Sequence, residues 1–258
     1  MKTRQYEAIK QSKGARTMVQ DHLMIEHPLT VLVNDEIFTL TMQTPGDEEA
    51  LIRGLLFAEG IVKLKEGILH SQVLERSPEG LISKVNVTVP ENLLDKSQIN
   101  KRNLLSVASC GICGRTELQD FSQKEREENI TEASNVSFEN LFEEMRQHQA
   151  AFDRSGGCHA AAAFDVERNM LSVKEDIGRH NAVDKVVGEL LNRGKLKSAR
   201  YLLVSGRVSY EIITKCFTAG IPVLAAVSAP SSLSVDFAKE LGIALYAFCR
   251  EERWTRYA

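Results

Sequence analysis

Tyr201-Leu202-Leu203-Val204-Ser205-Gly206-Arg207 is a short apolar run that ends in a small, polar, basic turn. Four apolar residues without polar alternation, closed by glycine, read as a buried strand. The pattern repeats downstream. Pro222-Val223-Leu224-Ala225-Ala226-Val227 ends in Ser228-Ala229-Pro230-Ser231-Ser232, and Ile243-Ala244-Leu245-Tyr246-Ala247-Phe248 is a third such run. Between them, Ile212, Ile213, Cys216 and Phe217 recur at helical spacing up to Gly220, and Leu233, Phe237, Ala238 and Leu241 do so up to Gly242. Strands alternating with helices predict an α/β layered domain with a mainly parallel sheet.

Working back from that stretch, Val183, Val186, Val187, Leu190 and Leu191 mark another helix, with Asn181 as its cap and Gly194 as its stop. The loop before it is Asp176-Ile177-Gly178-Arg179-His180-Asn181. Ala160 to Phe164 and Met170 to Val173 read as strands joined by a turn at Glu167-Arg168-Asn169, and Ser155-Gly156-Gly157-Cys158-His159 precedes the first. Ser137 caps an amphipathic helix carrying Phe138, Leu141, Phe142 and Met145. Nearer the start, Leu29 to Val33 and Ile37 to Met42 flank an Asn-Asp turn and predict a β-hairpin. Thr44 and Pro45 predict the start of a helix that buries Leu51, Ile52, Leu55 and Leu56 and stops at Gly60; Ile82 to Val89 is a further strand. The expected organisation is a polar extension over 1–20, a small α+β domain over 21–108, a mobile cysteine loop over 109–134 and an α/β ligand-binding domain over 135–258.

The bulk numbers exclude several classes. The 258 residues are 43% hydrophobic and 26% charged, enough for a buried core without staples. A net charge of −3 gives no support for general nucleic-acid binding. Five cysteines, an odd and sparse set, do not make a secreted disulfide framework. No apolar run approaches the ~20 residues that span a bilayer, and the polar start lacks a signal-peptide apolar segment. We expect a soluble, cytoplasmic protein without nucleic-acid or membrane partners.

The chemistry should lie in the loops that follow strands. Three precede helix N-termini: Gly178-Arg179-His180, Ser205-Gly206-Arg207 with Ser209, and Ser228 to Ser232. In open α/β sheets ligands sit outside the carboxyl ends of the strands, where free N–H groups and arginines suit phosphate. The expected ligand is a nucleotide or a phosphate-bearing cofactor. Ser109-Cys110-Gly111-Ile112-Cys113-Gly114-Arg115 adds a thiol pair. A C-x-x-C of this kind fits a redox pair, half of a zinc site completed by Cys158-His159, or a persulfide carrier whose thiolate Arg115 stabilises.

Taken together, Ser109 to Gly114, Gly156-Gly157-Cys158-His159-Ala160, the run Glu175-Asp176-Ile177-Gly178-Arg179-His180-Asn181-Ala182-Val183-Asp184-Lys185, Ser205 to Arg207 with Glu211 and Lys215, and Ser228 to Pro230 with Ser232-Leu233 resemble the formate dehydrogenase accessory sulfurtransferases, the FdhD family. The likeness covers roughly residues 25 to 257. It implies a sulfurtransferase that takes sulfur from a cysteine desulfurase as a cysteine persulfide. The sulfur goes on to the molybdenum cofactor, bis-molybdopterin guanine dinucleotide, which is bound as cargo, with no permanent prosthetic group and no resident metal. That step is required for formate dehydrogenase activity. It implies Cys110 as the persulfide carrier and Cys113 as its partner, and a cofactor-binding segment at Phe248-Cys249-Arg250-Glu251-Glu252-Arg253. It also implies a cytidine deaminase-like layered C-terminal domain, a smaller N-terminal domain and a homodimer. A cofactor-binding chaperone that transfers no sulfur is the alternative, and a zinc-dependent hydrolase lacks its H-x-E signature.

Overall fold

The structure, a computed structural model, describes residues 2–62, 70–95, 137–251 and 253–258. The stretch read as an extension pairs with itself. β1 (Thr3–Ser12) and β2 (Ala15–Met24) form an antiparallel ribbon over their whole length, turning at Lys13 and Gly14, which both have positive φ. Both of its faces are largely exposed, so no apolar period marks it in the sequence.

A four-stranded sheet follows, in the order β4-β3-β6-β5, from β3 (His27–Val33), β4 (Glu36–Gln43), β5 (His70–Arg76) and β6 (Ile82–Thr88). β3 and β4 are the predicted hairpin, and Asn34 and Asp35 at its turn have positive φ. β3 pairs with β6 in parallel. Helix α1 (Glu48–Ala58) lies on this sheet, where Leu51, Ile52 and Leu56 meet Leu29, Val31, Val33, Val85 and Val87. Gly60 turns the chain at positive φ, as expected. The N-cap of α1 is Asp47 rather than Thr44. Thr44 is drawn away because its backbone N–H and hydroxyl bind Asp176 and Ile177 of the larger sheet.

That larger sheet has six strands in the order β12-β11-β10-β9-β7-β8. Its elements run α2 (Phe138–Gln147), α3 (Ala150–Ser155), β7 (His159–Phe164), β8 (Met170–Asp176), α4 (Arg179–Asn192), β9 (Tyr201–Val204), α5 (Tyr210–Thr218), β10 (Val223–Ala226), α6 (Ser232–Glu240), β11 (Ala244–Arg250) and β12 (Arg253–Arg256). Ser137 caps α2, accepting from the Asn140 N–H. The sheet is mixed, not mainly parallel: β9, β10 and β11 run parallel, but β7 is antiparallel to both β8 and β9, and β12 to β11. The cause is local. β8 returns on β7 through a short turn, and β12 returns on β11, and neither connection is long enough for a parallel crossover.

Both faces of the sheet are covered. On one, Leu202, Val204, Leu224, Ala226 and Leu245 pack under α4, α5 and α6. On the other, Phe164, Leu203, Val223, Ala225 and Tyr246 pack against Phe138, Leu141, Phe142 and Met145 of α2. The result is a mixed α/β, three-layered unit. It meets the smaller sheet through α1 and α4, which cross glycine against glycine. A Cβ on Gly188 would lie 1.8 Å from the Ala50 carbonyl oxygen, and one on Gly54 would lie 1.9 Å from that of Asp184. Only glycine permits backbones to approach so closely.

Candidate functional site

The carboxyl ends of β9, β10 and β11 open on one edge of the sheet. Because β7 is antiparallel to β9, its first residue comes to the same edge, and so does the last residue of β8: His159 is paired with Asp176. The edge therefore brings together the β8–α4, β9–α5 and β10–α6 loops. They are stitched to one another. The Ser205 N–H donates to the Ala160 carbonyl while its hydroxyl accepts from the Ala160 N–H. The Val208 N–H donates to Ala229, the Ser231 N–H to Val208, and the Phe248 N–H to Ser228.

Asp176 organises the first loop. It is fully buried, and one carboxylate oxygen accepts from the Gly178 N–H at 2.8 Å and the Asn181 side-chain amide at 3.0 Å. The other oxygen takes the Lys185 ammonium at 2.7 Å and the Thr44 N–H at 3.0 Å. A buried carboxylate so paired and so fully hydrogen-bonded is held to one geometry. Asn181, expected as the helix cap, lies inside α4 instead, and Gly178 holds the N-cap position. The Asn181 amide also donates to the Met42 carbonyl, so the smaller sheet takes part in fixing this loop. Lys215 on α5 grips Asp184 on α4 at 2.6 and 2.8 Å, which locks the second loop's helix to the first.

The start of α4 then presents Arg179 and His180 to the edge. Arg179 is half-buried, and its Nε is buried without a hydrogen-bond partner. Gly206 lies beside it: a Cβ there would sit 3.5 Å from Arg179 Cβ and 3.0 Å from His159 Nδ1. The glycine leaves room for the imidazole and the arginine to lie over the second loop. Arg207 is exposed next to it. His180 turns along α5, with Nε2 3.0 Å from the Ser209 hydroxyl and 3.7 Å from Glu211. Burial, and then the positive charge of Arg179, hold the His159 pKa below the ordinary histidine value; Arg207 adds to this, and Asp176 opposes it.

The C-terminal segment contributes unevenly. Phe248 lies beside Ser228 and has φ +55°, at a bulge between β11 and β12. Positive φ is a true outlier for a bulky residue, and such strain gathers at ligand sites. The Cys249 side chain is buried in the core with Phe138 and Tyr246, and burial pushes its thiol up to about 11. That burial commits its side chain to the core. Arg250 and Arg253 face each other across the β11–β12 pair, and Arg253 pairs with Glu251 at 2.9 Å on the surface. Glu252 lies outside the described residues, as do Cys110 and Cys113.

Three cysteines are described, and none has the character of a nucleophile. Cys158 donates to Glu175 at 3.3 Å, and burial together with that carboxylate pushes its thiol up to about 12. Glu175 also accepts from the Ala151 and Phe152 N–H groups at the start of α3. Cys216 is fully buried, 3.2 Å from the Ile221 carbonyl. The edge thus brings together Gly178, Arg179, His180, Ser205, Gly206, Arg207 and Ser228 from the three loops, with Phe248 from the segment that the resemblance pointed to. It adds His159 and the positioning carboxylate Asp176, whose roles the pattern left open. The edge holds two arginines, an imidazole whose pKa is lowered and the N-termini of α4, α5 and α6, a set of groups whose chemistry suits an anion.

Comparison with known proteins extends this. The FdhD/NarQ family model matches residues 24–258. The sulfur carrier protein FdhD of Mycobacterium tuberculosis is 41% identical over 245 residues, covering 91% of this chain and 89% of the relative. That of Sulfolobus acidocaldarius is 33% identical over 258 residues, covering 100% and 97%. In structure the chain resembles a Desulfotalea psychrophila protein described as a formate dehydrogenase accessory protein, with a TM-score of 0.72 over 99% of this chain and 96% of that one. At 22% sequence identity that likeness speaks for the fold.

Proposed function

Since the chain belongs to the FdhD/NarQ family, we propose that it is a sulfurtransferase that carries sulfur, as a cysteine persulfide, from a cysteine desulfurase to the molybdenum cofactor of formate dehydrogenase. The observation that carries this reading is the anion platform at the sheet edge, in a chain whose curated relatives are named sulfur carriers. Cys110 is the carrier. Its thiolate attacks the outer sulfur of the donor's persulfide; a new S–S bond forms on Cys110 as the donor's S–S bond breaks, and the donor leaves as a thiolate. Cys113 is its partner in holding or releasing that sulfur. The burial of Cys158, Cys216 and Cys249 supports this division of labour, because a buried, protonated thiol neither attacks nor carries.

The cargo is bis-molybdopterin guanine dinucleotide, held as substrate and not as a resident group. Arg179 and Arg207 pair with its phosphates, the start of α4 and the Gly206 turn add backbone N–H groups, and Ser228 and Phe248 border the ring systems. Arg250, Glu251 and Arg253 border the cargo on its outer side, and the family resemblance assigns Glu252 to the same segment. The same reading makes the six-stranded layer cytidine deaminase-like, the working unit a cytoplasmic homodimer, and the cysteine desulfurase and formate dehydrogenase its partners.

Incubation with a cysteine desulfurase and cysteine, followed by intact-mass measurement, should show a gain of one sulfur atom. The gain should vanish in Cys110→Ala. Its persistence there would remove Cys110 from the carrier role, and its absence from the wild-type protein would remove the persulfide mechanism.

A further inference from the structure

Among the described residues of the edge, His159 is held in place by its backbone and by its contact with Gly206, and not by a side-chain hydrogen bond. Its backbone is fixed by pairing with Asp176 across β7 and β8. Its ring lies against Gly206, with Arg179 on the same side, at a position where any side chain on residue 206 would displace it. Among the described residues no hydrogen bond reaches either ring nitrogen. The preceding residue, Cys158, turns the other way, to Glu175 and the first turn of α3. The ring therefore stands at the ligand side of the edge with both nitrogens unspent, next to an arginine whose Nε is also unpartnered.

We propose that His159 is a binding residue of the sheet edge, one that donates to the incoming phosphate and takes up a proton as the anion docks. This rests on the reading of the edge as a phosphate site. Three charged groups face the ring: Asp176 from the end of β8, Arg179 from the start of α4, and Arg207 from the loop after β9. Ser205 and Gly206 bring no charge, Glu175 is committed to α3 and Cys158, and His180 is turned to Ser209 and Glu211. In the free protein burial and the two arginines favour the neutral ring. A polyanion between Arg179 and Arg207 cancels their repulsion and adds an acceptor, which favours the imidazolium. The sign follows. The bound protein holds more protons than the free one, so binding tightens as pH falls, until the free ring also becomes protonated.

Calorimetric titration of the full chain with guanosine diphosphate, in two buffers of different ionisation enthalpy and across pH 6 to 8, tests this. The nucleotide's own phosphate titrates in that range, so the readout is the difference between wild type and His159→Gln. Wild type should lose affinity with rising pH more steeply than the variant, by up to about tenfold per pH unit, the limit that linkage to one proton sets. An NMR titration of the wild-type imidazoles supplies a readout that needs no variant: the His159 ring should titrate below the ordinary histidine range alone and above it with the nucleotide bound. Equal pH dependence in wild type and folded variant, or a His159 titration that the nucleotide does not move, would overturn the inference while leaving the phosphate site in place. Absence of nucleotide binding at every pH would instead overturn the phosphate reading itself, and the inference with it.

Discussion

Phe248 holds a conformation, φ +55°, that costs a bulky residue about 1–3 kcal/mol and costs glycine nothing. The bulge between β11 and β12 imposes it, and the side chain is what the strain retains at the edge. Phe248→Gly should therefore leave urea stability nearly unchanged, because relief of strain offsets the lost contact, while guanosine diphosphate binding weakens. Phe248→Val keeps an apolar group but is worse suited to positive φ, and should be less stable than the glycine variant by about 1–2 kcal/mol. The cysteines can be ranked at the same scale. With thiols pushed up to about 12 and about 11, Cys158 and Cys249 carry a vanishing thiolate fraction near neutral pH. Brief iodoacetamide treatment of the native protein, mapped by peptide mass, should label Cys110 or Cys113 and spare Cys158, Cys216 and Cys249. Sequence alone ranks Cys158 and His159 alike, since both follow a glycine pair. Extended backbone separates them by turning successive side chains to opposite faces, and only tertiary structure says which face holds Glu175 and which holds Gly206.

Helices α1 and α4 illustrate the element scale. Their crossing leaves no room at Gly54 or Gly188, where the atoms met would be backbone and cannot swing aside. Gly188→Ala should cost about 3 kcal/mol or more in urea denaturation, although alanine is the better helix former by about 1 kcal/mol. Gly194→Ala at the helix end probes a different cost, that of positive φ with open space around it, and should be milder. The elements that sequence made legible are those with a strong period or a sharp stop: β9, β10 and β11, each a buried run before a polar turn, and α2 with its Ser137 cap. β5, exposed at every position, and the ribbon β1–β2, open on both faces, have no such period and were not foreseen. Thr44 and Asn181 have the composition of helix caps, and tertiary partners claimed both: Asp176 and Ile177 for the first, Asp176 and Met42 for the second. Strand direction departs from the expectation for a related reason. Alternating elements predict parallel neighbours, but β7 and β12 enter the sheet through reversals that apolar runs do not encode.

At the scale of the whole molecule, one carboxylate ties the three sheets together. Asp47, which caps α1, pairs with Lys174 of β8 at 2.7 Å and with Lys2, just before the ribbon, at 3.3 Å; Lys174 also reaches Glu189 of α4. Burial pushes the Asp47 pKa up, but the Lys174 hydrogen bond and the charges of Lys2, Lys174 and Lys185 outweigh it and hold it below the usual carboxylate value. For Lys174 burial acts downward, and Asp47 and Glu189 outweigh it upward. The stability from Asp47 is thus present above the ordinary carboxylate range and is lost as pH falls through the lowered native value. That from Lys174 is present below the ordinary lysine range and is lost as pH rises through its raised one. Asp47→Asn should flatten the acid limb of a urea-stability profile and leave its neutral plateau lower, and an unchanged acid limb would count against the network. The glycine crossing has a consequence in time. Two backbones can nest only when both are already helical, and Gly54 and Gly188 come from distant parts of the chain, so α1 seats on α4 late, after each layer has formed around its own core. Gly188→Ala should then leave the refolding rate nearly untouched and express its cost as faster unfolding, a division that stopped-flow measurement reads directly.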